Sequence, residues 1–556
     1  MDCFVAPCKE GCPIHQDITT YLQLVGEEKY EEAMEVITEK NPLPFITGTI
    51  CAHNCMSKCT RNFYETPVHI REMKLKAAEN GYEALLEKLP VPVVTKAGKA
   101  AVIGGGPAGM AAAYFLRKGG MEVTLFEAKE SLGGVVRHVI PPFRISEDAI
   151  EKDAEILRKM QVDIRCNTKV ESLEELKKQG YTKIVLAVGA PVQGSLKLES
   201  GMPKNALEFL AEFKQTDGNV SLGKYVVVIG GGNTAMDTAR AAKRNAGVEH
   251  VYLIYRRTRR YMPADEEELV MALEDGVEFK ELLSPVKLEN GQLLCKVMQL
   301  SDYDVSGRRG VTETGETVWV PADTVIAAVG EKVPTDWYQA NGLAVSEKGR
   351  LYVDEKTLKT SDDNVYAAGD GLYGPATVVE AIRDGRKVAE AIAGEVLARD
   401  FDKLAEEEKV YAKRGVLKEE QKETKEAGRC LGCSTICENC VEVCPNRANI
   451  AIQVPGMEKH QIIHVDYLCN ECGNCKSFCP YSSAPYLDKF TLFATEADME
   501  NSKNQGFAVL NQETRRCKVR FFGKTFIWEP EKPAGLPDGL GRMIETVCRD
   551  YSYLIR

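Results

Sequence analysis

Twice in this chain a short Val/Ile/Ala run ends on a glycine turn and passes directly into an alanine-rich helix. Few sequence features restrict a fold more. The first copy, KAAVIGGGPAGMAAAYFLRKGGMEVTLFEAKESLGG, sets Gly104, Gly106 and Gly109 in a G-x-G-x-x-G pattern, with Pro107 and Ala108 inside the turn. The first glycine permits the tight turn, the second lets a pyrophosphate approach the backbone, and the third lets the helix lie close on the strand. The next strand, VTLFE, ends in Glu127 with Ala128 behind it, and a carboxylate there accepts the ribose hydroxyls of an adenosine. The second copy begins YVVVIGGGNTAMDTARAA, with Gly230, Gly232, Asn233, Thr234 and Ala235 giving the G-x-G-x-x-A variant. Its second strand, VYLIY, runs into Arg256 and Arg257 where the first copy has Glu127. An acid repels a 2′-phosphate, whereas paired guanidiniums bind it bidentately. The expectation is NADPH rather than NADH; the plainer reading is a solvated basic turn, since Arg259 and Arg260 follow.

Two nucleotide sites in one chain imply FAD plus a nicotinamide, with hydride passing between them. The later stretch DNVYAAGDGLYGPATVVEAI supports this. Gly369 and Asp370 follow a strand at the place where a flavin's ribityl-phosphate region is held. A helix starting near Ala376, Thr377 and Val378 directs its positive N-terminus at the flavin N1–C2=O edge. From Ala100 to about Gly394 short strands alternate with helices, an α/β pattern with parallel sheet. We expect an α/β fold of two nested Rossmann-like domains: FAD-binding over 96–205 and 335–400, NAD(P)H-binding over 206–334. An α-helical iron–sulfur domain is expected over 1–95, including one amphipathic helix in TTYLQLVGEEKYEEAMEVITEKNP. A charged, solvated helical linker (401–428), a ferredoxin-like domain (429–490) and a small β-rich tail (491–556) follow.

The formal net charge of −11 argues against nucleic acid as a partner. No apolar run approaches the ~18 residues of a membrane span, and the N-terminal MDCFVAPCKEGCPIH has no signal-peptide pattern. The expected location is the cytoplasm. There, 15 of the 19 cysteines gathered at the two ends mean metal rather than disulfides, leaving Cys166, Cys295, Cys517 and Cys548 as isolated thiols.

CNECGNCKSFCP supplies Cys469, Cys472, Cys475 and Cys479 in the C-x2-C-x2-C-x3-C-P run of bacterial ferredoxins, whose fourth cysteine ligates the other run's cluster. RCLGCSTICENCVEVCP matches from its C-terminal end, Cys437, Cys440 and Cys444; the next ligand position is Ser434, with Cys433 one residue away. Spacing therefore assigns Cys433, Cys437, Cys440 and Cys479 to one 4Fe–4S cluster and Cys444, Cys469, Cys472 and Cys475 to another. Cys430 is left over. A structural zinc is the other use of such C-x2-C pairs.

The segments VIGGGPAGMAAA, LGGVVRHVIPPFRI, VIGGGNTAMDTARAA, YRRTRRYMPA and VYAAGDG resemble the glutamate synthase small-subunit family of adrenodoxin-reductase-like flavoproteins. With RCLGC…CVEVCPNRAN and DKFTLFATEADMENSKNQGF, the whole chain resembles its ferredoxin-fused branch, which carries a selenate reductase flavin-subunit label. The resemblance adds Gly133, Gly134, Arg137, Gly189 and Gly330 to the expected cofactor contacts. It also implies one or two N-terminal 4Fe–4S clusters, one on Cys3, Cys8 and Cys59 and one on Cys12, Cys51 and Cys55. Each then has three thiolates; the remaining ligand of one set would lie before Cys3, that of the other near Glu72 or Lys74.

The expected activity is hydride exchange between NADPH and FAD, with single electrons passing through clusters to or from a partner redox subunit or ferredoxin, in a hetero-oligomer. No residue is marked out as a catalytic acid, base or nucleophile. The competing readings are a flavin-site reductase of its own small-molecule or oxyanion substrate, and a structural electron relay with an inactive nicotinamide site.

Overall fold

The computed structural model describes residues 5–556 except 64, 304–308, 402–405, 435–436, 458, 480 and 532–534, and the backbone alone at 193 and 407. The chain forms two units. One comprises Tyr30–Ala52 and Lys74–Arg399, the other Met1–Lys29, His53–Met73 and Asp400–Arg556. The N-terminal 95 residues, expected as one domain, are thus shared between them.

In the first unit two five-stranded parallel sheets repeat one plan. Lys99–Ile103 lies between Tyr181–Leu186 and Glu122–Phe126, with Asp163–Arg165 and Val365–Ala367 at the edges. Tyr225–Ile229 lies between Thr324–Ala327 and His250–Tyr255, with Glu278–Glu281 and Lys204–Asn205 at the edges. The central strands are buried along nearly their whole length, as parallel strands covered on both faces must be. Val365–Ala367 returns to the first sheet after the second is complete, so the domains are nested. A separate antiparallel sheet of Leu283–Glu289, Gln292–Tyr303 and Arg309–Pro321 packs against the second through Leu293, Cys295 and Val320.

Residues 30–52 belong to this unit for a physical reason. Asp153, wholly buried on the helix Glu147–Lys159, accepts the Phe45 and Ile46 N–H groups at 3.1 and 2.8 Å, satisfying the free N-terminus of the helix Pro44–Ile50. The single amphipathic helix expected across this region is broken: Ile18–Gly26 and Tyr30–Lys40 are separate, with Glu28 left-handed at φ +58 between them.

In the second unit a six-stranded mixed sheet runs Asn449–Ile452, Gln461–Val465, Thr491–Phe493, Gly506–Asn511, Arg516–Phe521, Lys524–Trp528. The last four strands come from the expected tail and the first two from the ferredoxin-like stretch. The tail is therefore the continuation of one sheet, with the helix Asp538–Asp550 covering a shared core that includes Ile463, Phe507, Trp528 and Ile544. The linker also differs from expectation: its described ordered parts are the short helix Glu407–Tyr411 and the 3-10 turn Glu423–Arg429, where Glu426 and Arg429 are buried rather than solvated. Among the described residues no helix is long and apolar enough to cross a membrane.

Trp528 is 1% exposed. Trp528→Ala is expected to cost about 3–5 kcal/mol by leaving a cavity. Limited proteolysis should then cut within 449–465 as well as within the tail; a strand Gln461–Val465 that stays resistant would mean the tail folds separately.

Candidate functional site

Each glycine turn lies at the C-terminal edge of its sheet, the edge at which doubly wound folds bind ligands. Gly104 has φ +106, and a Cβ there would lie 2.3 Å from the Ala187 carbonyl oxygen. At Gly109 a Cβ would stand 1.8 Å from the Gly104 oxygen, so only glycine lets the helix Pro107–Lys118, with buried Ala108 in its first turn, close on its strand. Gly106 is different. Its Cβ would meet nothing nearer than 3.7 Å, and at Gly232, Gly189 and Gly330 it would meet nothing within 4 Å. Gly189 and Gly330 are held to glycine by their backbone, at φ +69 and +100, whereas nothing in the protein's own structure requires Gly106 and Gly232; the space those two leave is what a pyrophosphate needs to reach backbone N–H groups.

Glu127 is fixed at the lip of the first turn. Its Oε2 accepts the Gly105 N–H at 2.6 Å and its Oε1 the Lys129 N–H at 2.7 Å, leaving each oxygen a lone pair for a ribose hydroxyl. Ala128 beside it is exposed. The Gly133 N–H donates to the Gly105 carbonyl at 2.8 Å, and a Cβ on Gly134 would lie 2.8 Å from Gly106 Cα, so this loop lies against the turn. Arg137, which starts from the same loop, pairs with Glu151 at 2.6 Å, yet its Nε is buried without a partner. An orphaned guanidinium N–H beside an open glycine turn fits an anionic dinucleotide.

At the second turn Ala235 is fully buried in the place of a third glycine. Asn233 is pinned to Asp265: its side chain accepts that residue's N–H at 2.9 Å and donates to the carboxylate at 3.1 Å. Thr234 beside it is half-buried. The arginine pair is separated. Arg256 is exposed, whereas Arg257 is buried and its Nε donates to the Arg309 carbonyl at 2.7 Å. Both residues lie past the end of the strand His250–Tyr255, and of the two guanidiniums expected to act together only that of Arg256 is exposed.

At the flavin end, Asp370 Oδ1 accepts the Ala376 N–H at 3.0 Å. Burial pushes its carboxyl up to about 6, with Glu331, Glu380 and Asp384 adding to the effect. Thr377 caps the helix Val378–Ala393 in a reciprocal box with Glu380. Gly369 has φ +67, and a Cβ there would lie 2.6 Å from that of Ala108. Sequence reasoning missed Gly385, where a Cβ would lie 2.6 Å from the Ala108 carbonyl oxygen and force the two helices apart. A glycine inside a helix costs about 1 kcal/mol against alanine, and that cost was the available signal.

Eight of the described cysteines line two cavities in the second unit. Cys444, Cys469, Cys472 and Cys475 line one of them. Two of its sulfurs accept backbone N–H groups: Cys444 from Ala448 at 3.2 Å, Cys469 from Glu471 at 3.3 Å. Cys8, Cys59, Cys430 and Cys433 line the other. Burial pushes the Cys433 thiol up to about 12, and burial with neighbouring thiols holds Cys8 well above its ordinary value. Spacing grouped Cys433 with Cys437, Cys440 and Cys479 and set Cys430 aside; the fold brings both Cys430 and Cys433 to Cys8 and Cys59. Cys437 and Cys440 are buried and Cys479 half-buried. Cys12 and Cys55 are buried in the second unit, Cys51 belongs to the first, and Cys3 lies outside the described residues. Glu72 is exposed and paired with His69, and Lys74 is buried. Cys517 and Cys548, read as isolated, meet thiol to thiol in the core of the six-stranded sheet.

Residues 1–84 match the dihydropyrimidine dehydrogenase domain II, 4Fe–4S cluster family, and residues 98–385 match the pyridine nucleotide-disulphide oxidoreductase family. The chain belongs to the pyridine nucleotide-disulphide oxidoreductase family. It is 38% identical over its whole length to YgfK of Escherichia coli, whose name carries no more than an unassigned oxidoreductase activity; it spans 56% of that protein. It is 31% identical to the NAD-dependent dihydropyrimidine dehydrogenase subunit PreT of E. coli, over 70% of this chain and 91% of that protein. With the E. coli NADPH glutamate synthase small chain it shares 32% identity, over 69% of this chain and 87% of that one. The resemblance to the glutamate synthase small-subunit family holds: the chain carries a Rossmann-type FAD/NAD(P) oxidoreductase fold behind a 4Fe–4S N-terminal domain.

Two outcomes follow from this geometry. Gly106→Ala should leave the fold stable and weaken FAD binding, whereas Gly104→Ala should destabilise the protein even without FAD; thermal melts of flavin-free and flavin-loaded protein separate them. Asp370 has its folded pKa raised, so the stability it lends is present below about pH 4 and lost as pH rises through about 6. Asp370→Asn should therefore stabilise flavin-free protein at pH 7.5, by up to about 3 kcal/mol at 1.36 kcal/mol per unit, with the gain shrinking toward pH 4 in urea titrations.

Proposed function

We propose that this chain is the electron-transfer subunit of a larger redox assembly, exchanging hydride with NADPH at FAD and single electrons with a partner redox subunit or ferredoxin through 4Fe–4S clusters. FAD, when bound, supplies the conversion between a two-electron hydride and one-electron carriers. The chain's own residues bind and orient. Gly106 and Gly232 leave the two pyrophosphates room, Glu127 takes the adenosine ribose of FAD, and Arg256 takes the 2′-phosphate of NADPH. Asp370 and the capped start of the helix Val378–Ala393 face the flavin's ribityl and pyrimidine edge. Cysteine thiolates hold the clusters, and N–H groups such as those of Ala448 and Glu471 tune them through their sulfurs.

The observation that carries this reading is the pair of glycines, Gly106 and Gly232, facing open space on matched sheets of one unit. Relatives with either coenzyme in their names make the nicotinamide choice the point most in need of a test. A charge-assisted hydrogen bond is worth roughly 1.5–3 kcal/mol. Arg256→Ala should therefore raise the apparent KM for NADPH about tenfold or more in dye reduction, with kcat nearly unchanged and NADH little affected. Arg257→Ala should instead lower stability without discriminating between coenzymes. Equal effects of Arg256→Ala on both coenzymes would overturn the assignment of this turn.

A further inference from the structure

We propose that Cys8, Cys59, Cys430 and Cys433 are the four ligands of a single 4Fe–4S cluster assembled from the two ends of the chain, so that Cys433 does not serve the ferredoxin-like run. The inference rests on the iron–sulfur reading above and goes beyond it by assigning a ligand set that spacing does not give. The four cysteines line one small cavity walled otherwise largely by apolar groups, among them Leu22, Val68, Ile70 and Leu431. A zinc ion draws its sulfurs to about 2.3 Å from one point. Among the described residues no three His, Cys, Asp or Glu side chains converge in that way. A cubane instead holds its thiolates apart around a body of its own, which is the arrangement of side chains ringing a cavity.

Polar groups reach the sulfurs through this apolar wall. Backbone N–H groups of Val68 and Arg61 reach the Cys59 sulfur, and the Thr60 hydroxyl lies 3.3 Å from that of Cys433. Hydrogen bonds to sulfur are one of the levers that set cluster potential. The segments that bring these cysteines together are locked to each other. The Arg61 Nε donates to the Arg429 carbonyl at 2.8 Å, one residue before Cys430, and Arg429 in turn donates to the Thr66 carbonyl at 2.8 Å and to Glu426 at 2.7 Å. Arg61 and Arg429 also set two fixed positive charges close to Cys59. R-C-L-G-C, a motif some 370 residues downstream of Cys59, thus supplies two ligands: the one absent from the N-terminal set and the one that the resemblance gave to Cys3.

The test is a set of single Cys→Ser variants at positions 8, 59, 430 and 433, prepared anaerobically and read by iron content and by EPR of the reduced protein. Each should lose about four irons, as a cluster held by four thiolates requires, and all four should lose the same EPR signal. The double variant Cys8→Ser with Cys433→Ser should lose no more than either alone. Full iron in Cys430→Ser, or losses from positions 8 and 433 that add to about eight irons, would overturn the assignment. The unmodified protein gives a second measurement should the variants not fold. During stepwise destruction of clusters with ferricyanide and a chelator, followed by alkylation and mass spectrometry, the four cysteines should become reactive in one step. Labelling of Cys430 independently of Cys8 would overturn the proposal. Absence of NADPH-to-dye reduction from the unmodified protein would instead count against the flavin reading.

Discussion

Two arginines and two glutamates, buried together, hold the second unit in shape. Arg61 and Arg429 are 2% and 0% exposed at their side chains, Glu426 is 1% and Glu65 is 16%. Charges so far out of water persist only when paired and fully hydrogen-bonded. Here they are. Arg61 donates to Glu65 at 2.9 Å and to the Val416 carbonyl at 2.8 Å; Arg429 donates to Glu426 and to the Lys418 and Thr66 carbonyls. The carboxylates close the circuit by accepting backbone N–H groups, Glu65 from Lys418 at 2.7 Å and Glu426 from Gln421 at 2.8 Å and His69 at 3.2 Å. Burial alone would raise the Glu65 carboxyl, but the Lys418 N–H and the two guanidiniums hold it below the usual carboxylate range. Every bond joins residues 61–69 to residues 416–429 or braces one of those segments. Removing one member of such a network costs about 3–5 kcal/mol, because it strands the others.

The nucleotide unit depends on a different constraint, the division of labour among its glycines. Gly104, Gly109, Gly369 and Gly385 are required by the protein itself, because a Cβ at any of them would collide with backbone or with Ala108. Gly106 and Gly232 are not: φ is negative at both, and no atom lies nearer than 3.7 Å to where a Cβ would stand. Sequence alone shows both kinds as the same letter in the same motif. The structure separates those that set the distance between strand and helix from those that keep a surface free for a phosphate.

What the sequence made legible was local. The two turns and the run Cys469, Cys472, Cys475 follow from spacings of a few residues, where backbone geometry leaves few alternatives. What it concealed was non-local or orientational. Arg256 and Arg257 are adjacent letters, yet past the strand end one is exposed and the other is buried against the Arg309 carbonyl. Short strands after Thr491 give no sign of which sheet they extend. The break at Glu28 turns on a left-handed residue with no glycine to announce it. Spacing leaves Cys430 over because its neighbours in space, Cys8 and Cys59, lie at the other end of the chain.

The central claim is that the buried Arg61–Arg429 network makes the N-terminal and C-terminal cysteine segments one cooperative body. Hydrogen exchange of the holoprotein, compared with Arg429→Ala, addresses it most directly. The account predicts that protection falls together in residues 53–69 and 416–433, with the Tyr225–Ile229 strand unchanged as an internal reference. Loss of protection confined to 416–433, with 53–69 exchanging as in the unmodified protein, would contradict it.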